Sequence, residues 1–429
     1  MTRSARNAQA HHSAVAPDSQ PAASPPGMRR SAGVHAGLAL VAALMCLNLT
    51  NAQEYTPSLD EAGFLRATSG RPLTLPADHA AHPATRTEWW YFTGPLSDES
   101  GRRYGFQATW FRRALVREPA ERESPLLVRD VLMFHGALTD LSSGRLLFSE
   151  ASSRAFPPWA WASEDGLEVR VFENVLSGPG SRSKPRGSRA GAPASDDEAL
   201  TSLTLTAGEA TLELELTLGA SVVLNHGVEP GLSLKGSEPG QASWYYSLPD
   251  IPAVGRLRMA DGETRRVSGR AWMDHEFGSS QLDAELVGWD WLSVVLDDGS
   301  VLMVYLLRDA EGLPQPASSG TLLVPGSPAR HLARGAFTLR ARSTWTSPDS
   351  GISYPSGWTL EVPDAQLSLN VTPLLEAQEL QTRSTGVTYW EGLCRFTGQR
   401  AGAPVTGEGY VELVGYGTSV AERFTPTSK

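Results

Sequence analysis

From residue 85 onward the chain reads as a succession of short runs in which apolar and polar residues alternate. "TEWWYFTGPL", "RRYGFQATWFR", "VLMFHGALTDL" and "RLLFSEASS" open the series. "LTSLTLTAG", "ATLELELTL", "WLSVVLDDG", "SVLMVYLLR", "GLCRFTG" and "GYVELVGY" continue it. Alternation with period two places successive side chains on opposite faces of a strand. Gly, Asp, Ser or Pro bounds each run, and turn pairs such as Asp298-Gly299 and Ser143-Gly144 suit hairpins. No long stretch carries the 3.6-residue period of a helix. The pattern predicts an all-β chain with too many strands for one small sandwich, and antiparallel hairpins of this density close most readily into barrels.

An internal echo divides the pattern. Trp89-Trp90, the acidic turn Asp98-Glu99-Ser100-Gly101 and a strand ending at Trp110-Phe111 form one unit. Trp289-Asp290-Trp291, the turn Asp297-Asp298-Gly299 and a strand ending near Tyr305 form a second. This predicts two related antiparallel barrels in tandem, residues 53–260 and 261–429, divided at "RMADGET". The stretch Ser177 to Glu198 is low in complexity, basic and then acidic, and is expected to be a disordered insertion in the first barrel.

The first 52 residues break the β pattern. Arg29-Arg30 precede the apolar run Ala36 to Leu49, which ends at the small-residue pattern Thr50-Asn51-Ala52. This predicts a secretory signal with Met28 as the effective start, and so export to the periplasm or the extracellular space. Taking the four arginines and one aspartate of this segment from 37 Lys+Arg and 47 Asp+Glu leaves 33 against 46, a net of −13. That balance argues against a nucleic-acid partner or an anionic membrane surface. Cys394 is then the only cysteine, so no internal disulfide can form and stability must come from the core.

Candidate chemistry centres on "WMDHEFG", Trp272 to Gly278. On a strand, Trp272, Asp274 and Glu276 share one face while Met273, His275 and Phe277 share the other. The three polar groups cannot converge on one ion without donors from elsewhere, and no metal centre is expected from them. His275, between two apolar side chains, points to a barrel lumen. There it would read a ligand or move a proton, unless it is simply a hydrogen-bonded structural histidine. Asp274 and Glu276 read as structural, pairing with arginines such as Arg270 or holding the domain junction. Trp90, Trp289, Trp291, Tyr246 and Trp390 suit either core packing or an apolar ligand. Glu88, directly before Trp89-Trp90, is either ion-paired or a carboxyl with a raised pKa. There is no G-x-S-x-G, Walker A, G-x-G-x-x-G, H-E-x-x-H or C-x-x-C motif.

"EWWYFTG", "YGFQATWFR", "FHGALTD", "WMDHEFGSSQL", "GWDWLSVVLDDG", "YWEG" and "GYVELVGY" occur in this order. Together they resemble the AttH/carotenoid 1,2-hydratase family, also called hydroxyneurosporene-synthase-like, over essentially the whole chain after residue 60. The resemblance implies two lipocalin-like barrels, an apolar isoprenoid, polyene or acyl-chain ligand, and cofactor-independent chemistry: a lyase adding water across a C=C bond, a cyclase or a hydrolase. It also implies the alternative of a non-catalytic carrier working with an ABC-type permease. The hydratase's His-x-Trp matches His275-Glu276-Phe277, and its Tyr-x-Asp matches Tyr305-Leu306-Leu307. His275 and Tyr305 are kept, Phe277 replaces the Trp, and Leu307 stands where the proton donor would be. Glu88 or Asp290 would then have to supply the acid, with His275 and Tyr305 as polar groups in one apolar lumen. Phe277 joins Trp90, Tyr246, Trp289, Trp291 and Trp390 as the ligand-binding set.

Overall fold

A computed structural model describes residues 55–117, 128–178, 200–279, 286–417 and 419. The expected signal, residues 1–52, lies outside the described residues. So does the expected insertion, apart from Ser177 and Gly178. Among the described residues the regular structure is strand, with only short 3-10 turns and no α-helix.

The strands form two large antiparallel sheets. In the first, Thr87–Asp98 pairs on one side with Arg103–Ala114 and on the other with Thr264–Gly278. The hairpin of Ala242–Arg258 with Thr264–Gly278 then leads through Ala210–Leu216 to Thr201–Ala207. In the other direction the sheet continues through Asp130–Asp140 to Arg145–Arg154. It curls until Gly208 N donates to Phe148 O at 3.2 Å, which leaves a nearly closed barrel. The second sheet repeats the plan as a half-barrel. Its first strand, Gly288–Leu296, pairs with its second, Val301–Arg308, and with its last, Ala403–Val414. In both sheets, therefore, a Trp-rich first strand is zipped to the last, and the echo in the sequence corresponds to this shared topology.

The expected division near residue 260 is corrected by the same pairing. Thr264–Gly278 is the strand that closes the first barrel, in register with Thr87–Asp98, so the change of sheet falls between Gly278 and Gly288. A Gly-turn at "RMADGET" looks like a linker in sequence, but here it is the tip of the longest hairpin, with Arg258 opposite Thr264.

Alternation sorts the side chains. Trp90, Phe92, Phe106, Trp110, Phe134 and Met273 point into the first barrel and are fully buried there. Leu292, Val294, Trp358, Trp390, Phe396 and Leu413 fill the second. The remaining faces of the two sheets pack back to back: Tyr91, Tyr245 and Trp272 meet Trp291, Met303, Tyr305, Leu393 and Tyr410. Burying large aromatics on both faces of one sheet explains how a chain with one cysteine after residue 52 holds together without disulfides.

The back-to-back packing is tight at Gly105. A Cβ there would stand 2.6 Å from the Tyr410 hydroxyl and 3.1 Å from Leu393 Cβ. Gly105→Ala is expected to destabilise the fold by about 1–3 kcal/mol through overpacking, read as a lower midpoint of urea unfolding. An unchanged midpoint would show that the sheets are not this tightly opposed.

Candidate functional site

The two faces of Trp272–Gly278 serve two separate sites. His275 enters the barrel interior; Asp274 and Glu276 enter the layer between the sheets.

Inside the barrel, His275 is fully buried, with Trp90 stacked on its ring at 4.9 Å. Its Nε2 lies 3.0 Å from Glu88 Oε1 and its Nδ1 lies 3.0 Å from the Tyr246 hydroxyl. A second imidazole, His82, enters from the loop before the first long strand and stacks on Phe277 at 3.5 Å. Its Nδ1 is 2.7 Å from Glu88 Oε1 and its Nε2 is 2.9 Å from Asp78 Oδ1. With a carboxylate at each nitrogen, His82 carries both protons. Arg112 Nε donates to Glu88 Oε2 at 2.9 Å and its Nη1 to Asp130 Oδ1 at 3.0 Å. Burial alone would raise the Glu88 pKa, but the positive charges of His82 and Arg112 hold it well below the usual carboxylate range. Burial lowers the His275 pKa, so this ring is neutral and donates Nε2–H to Glu88. Burial likewise depresses His79, whose Nδ1 is 2.6 Å from the Tyr246 hydroxyl, to about 4.

Between the sheets lies a different chemistry. Asp274 accepts from the Tyr245 hydroxyl at 2.5 Å, from the Trp272 indole N–H at 2.6 Å and from the Ser247 hydroxyl. Burial raises its pKa to about 7, against the pull of those three donors. Glu412, which accepts from the Trp289 indole at 2.7 Å, is raised by burial to about 7 as well, with Asp274 and Glu276 adding like-charge repulsion. Glu391 accepts from the Tyr91 hydroxyl at 2.8 Å, and its other oxygen, Oε2, is buried without a partner among the described residues. Burial and the neighbouring Glu412 push it well above the carboxylate range. The cation facing these acids is Lys235, 3.0 Å from Glu276 Oε1 and 4.4 Å above the Tyr305 ring. A cleft of about 700 Å³ runs between the sheets, bounded by Pro95, Trp272, Val295 and Tyr410 among others. Trp272 both lines that cleft and hydrogen-bonds Asp274. Buried carboxyls that hold protons near neutral pH, ringed by aromatic faces, can donate a proton and stabilise the cation it creates.

The expected residues divide between these places. His275, Glu88, Trp90, Tyr246 and Phe277 come together, but Glu88 is an ion-paired carboxylate and cannot be the acid. Tyr305 does not share their lumen. It faces the inter-sheet layer, bonded to Ser233 at 2.8 Å and Ser319 at 3.0 Å, because its strand belongs to the other sheet. Asp290 points into the second barrel against Arg308 at 2.9 Å and Tyr416 at 2.9 Å, on the opposite face from Trp289 and Trp291. Burial raises its pKa, but it is removed from the aromatic layer. Trp390 packs in the second core with its indole on Glu376 O at 2.7 Å. Trp289 and Trp291 do reach the inter-sheet layer, donating to Glu412 and, at 3.0 Å, to the Tyr245 hydroxyl. Leu307 is in the same layer. Arg270 pairs with Asp250, not with Asp274 or Glu276. The sequence pattern does not single out Glu391, Glu412 or Lys235 as charged groups of the site. Two of these three carry a signal: Glu391 shares a face with Tyr389 and Leu393, and Glu412 with Tyr410 and Val414, so each is an acid in an apolar register.

The lumen network has a defined pH signature. Glu88, depressed in the folded state, contributes stability above its ordinary value of 4.5, which is lost as pH falls through the folded value. His82, raised in the folded state by Glu88 and Asp78 despite its burial, contributes fully below 6.5 and loses that contribution as pH rises through its raised value. The network thus stabilises most between about pH 4.5 and 6.5. Glu88→Gln, which takes from Arg112 and His82 the carboxylate they share and leaves them only Asp130 and Asp78, is expected to cost about 3–5 kcal/mol in that window and less in acid. Urea unfolding across pH measures it, and a deficit that does not shrink in acid would contradict the assignment.

The AttH-like family model matches residues 66–416. A protein of Nitrosomonas europaea classed as an AttH superposes with a TM-score of 0.69 at 30% identity, over 82% of this chain and 99% of that one. Kievitone hydratase of Nectria haematococca superposes with a TM-score of 0.60 at 15% identity, over 85% of this chain and 98% of that one, and so shares the fold. No protein of curated function matches the sequence. With a family model spanning both sheets and a relative of like length and architecture, the chain belongs to the AttH-like family.

Proposed function

We propose that the protein binds a hydrophobic small molecule between its two sheets and acts on it by acid catalysis, in the manner of a hydratase. The observation that carries this reading is the set of carboxyls placed among Trp272, Trp289, Trp291 and Tyr245: buried Asp274 and half-buried Glu412, both raised to about 7, and buried Glu391, raised well above the usual carboxylate range. A carrier needs only apolar walls and hydroxyls. Carboxylic acids kept neutral at working pH are costly to bury and are the groups that proton transfer requires. The fold also hosts a hydratase in Nectria haematococca, which supports the reaction class.

In this scheme an isoprenoid, polyene or acyl-chain substrate enters along the cleft bounded by Trp272 and Tyr410. Asp274 gives its proton to one carbon of a C=C bond, and the cation left on the other carbon is held against the indole faces. Water adds to that carbon and returns a proton to the Asp274 carboxylate, so the net change is addition of one water. Glu412, bonded to Trp289 on the opposite sheet, is placed to orient that water. Arg29-Arg30 and the apolar run that follows support action outside the cytoplasm, where an ABC-type permease would be a partner.

Incubation of the protein with an isoprenoid and fatty-acid extract in ¹⁸O-water, followed by mass spectrometry, tests the reaction. Expected is a product heavier by one labelled water, formed by wild type and reduced roughly 10²–10⁴-fold by Asp274→Asn. Retention of an unmodified co-purifying lipid by both proteins would favour the carrier. Because the acid must be protonated, kcat is expected to fall as pH rises through about 7. A rate that climbs across that range would remove Asp274 from the role.

A further inference from the structure

The lumen cluster, separate from the inter-sheet acids, has the composition and arrangement of a metal site. His82, Glu88 and His275 come from a loop and two paired strands, and one ligand atom from each lies within 4.8 Å of the others. Two of the three separations, 2.7 Å and 3.0 Å, are hydrogen-bond distances, and they would have to open by roughly half an ångström to the about 3.3–3.6 Å between adjacent ligands of a tetrahedral ion bound at about 2.0–2.2 Å. We propose that His82 Nδ1, His275 Nε2 and Glu88 Oε1 bind a divalent first-row transition ion of the zinc or iron type, as a two-histidine, one-carboxylate centre.

The surroundings support this more than the three donors do. Each first ligand is held through its other polar atom: His82 Nε2 by Asp78 at 2.9 Å, His275 Nδ1 by Tyr246 at 3.0 Å and Glu88 Oε2 by Arg112 at 2.9 Å. This outer layer orients metal-binding histidines and sets their basicity. Arg112 Nε and the His82 backbone N–H donate to Oε2, at 2.9 Å each, and the backbone N–H also reaches Oε1 at 3.1 Å, so the side-chain groups facing Oε1 are the two imidazoles that would share the ion with it. The proton balance also closes. The ion replaces the Nδ1 proton of His82, which leaves to solvent, while Nε2–H remains on Asp78. His275 moves its proton from Nε2 to Nδ1, and the Tyr246 hydroxyl, 3.2 Å from Asp78 O, turns to donate there. One proton is released per ion. A second cleft, about 390 Å³ and lined by Arg71, His82, Trp244 and Phe277, reaches the site at His82 and provides the entry path. Two nitrogens and one oxygen suit zinc or ferrous iron over calcium or magnesium, which take oxygen ligands.

The test uses the whole chain, treated with chelator and titrated with Zn²⁺ by calorimetry and with Co²⁺ by visible absorption. Expected is saturation near one ion per chain with a ligand-field band for Co²⁺, both lost in His82→Ala and His275→Ala. Asp78→Asn, which keeps all three ligands, is expected to weaken binding roughly 10–100-fold while the circular dichroism stays native. His331→Ala, remote from the cluster, is expected to bind as wild type and controls for surface sites. If the alanine variants do not fold, the Asp78→Asn titration decides. Absence of saturable binding to folded wild type, or affinity unchanged in Asp78→Asn, would overturn the proposal and leave the cluster an ion-pair network only.

Discussion

Everything functional in this molecule depends on one strand pairing. Thr87–Asp98 lies antiparallel to Thr264–Gly278 in a register that sets Trp90 beside His275 and Glu88 beside Phe277. The pairing joins the beginning of the first barrel to its end, across about 180 residues of chain, and closes it. Because side chains alternate, the same register sends Trp89 and Tyr91 outward with Asp274 and Glu276. A slip of one residue would exchange the two sets, placing carboxylates in the lumen and His275 between the sheets.

The two resulting sites are electrostatic opposites. In the lumen, Glu88 is buried beside cations, and attraction to His82 and Arg112 outweighs the cost of burying its charge. Between the sheets, buried Asp274 and Glu391 and half-buried Glu412 lie largely beside one another, with Lys235 committed to Glu276, so desolvation and repulsion win. The same residue type is thus an ionised anchor on one face of a sheet and a proton-holding acid on the other. The second arrangement suits acid catalysis and the first an ion, and the two lie on opposite faces of one strand.

Family membership and geometry bear on different questions. The AttH-like match accounts for the paired barrels and their shared topology. It does not select a reaction, since barrels of this kind accommodate both carriers and enzymes. The selection made here comes from where neutral carboxyls lie relative to aromatic faces.

By itself the sequence determined the strand class, the two-fold echo and the face each residue of "WMDHEFG" takes, because period-two alternation is a local property of the backbone. It also carried enough ordered motifs to indicate the family. Only the tertiary structure decided which buried face is a lumen and which is an inter-sheet layer, since both look equally apolar along a strand. That distinction moved Tyr305 and Asp290 away from His275 and turned Glu88 from a candidate acid into a paired carboxylate. It also brought in Glu391 and Glu412, more than 100 residues beyond Asp274 in the chain. His82 became a partner of His275 for the same reason. Charge state is set by neighbours that are close in space and remote in sequence, and no local pattern encodes them.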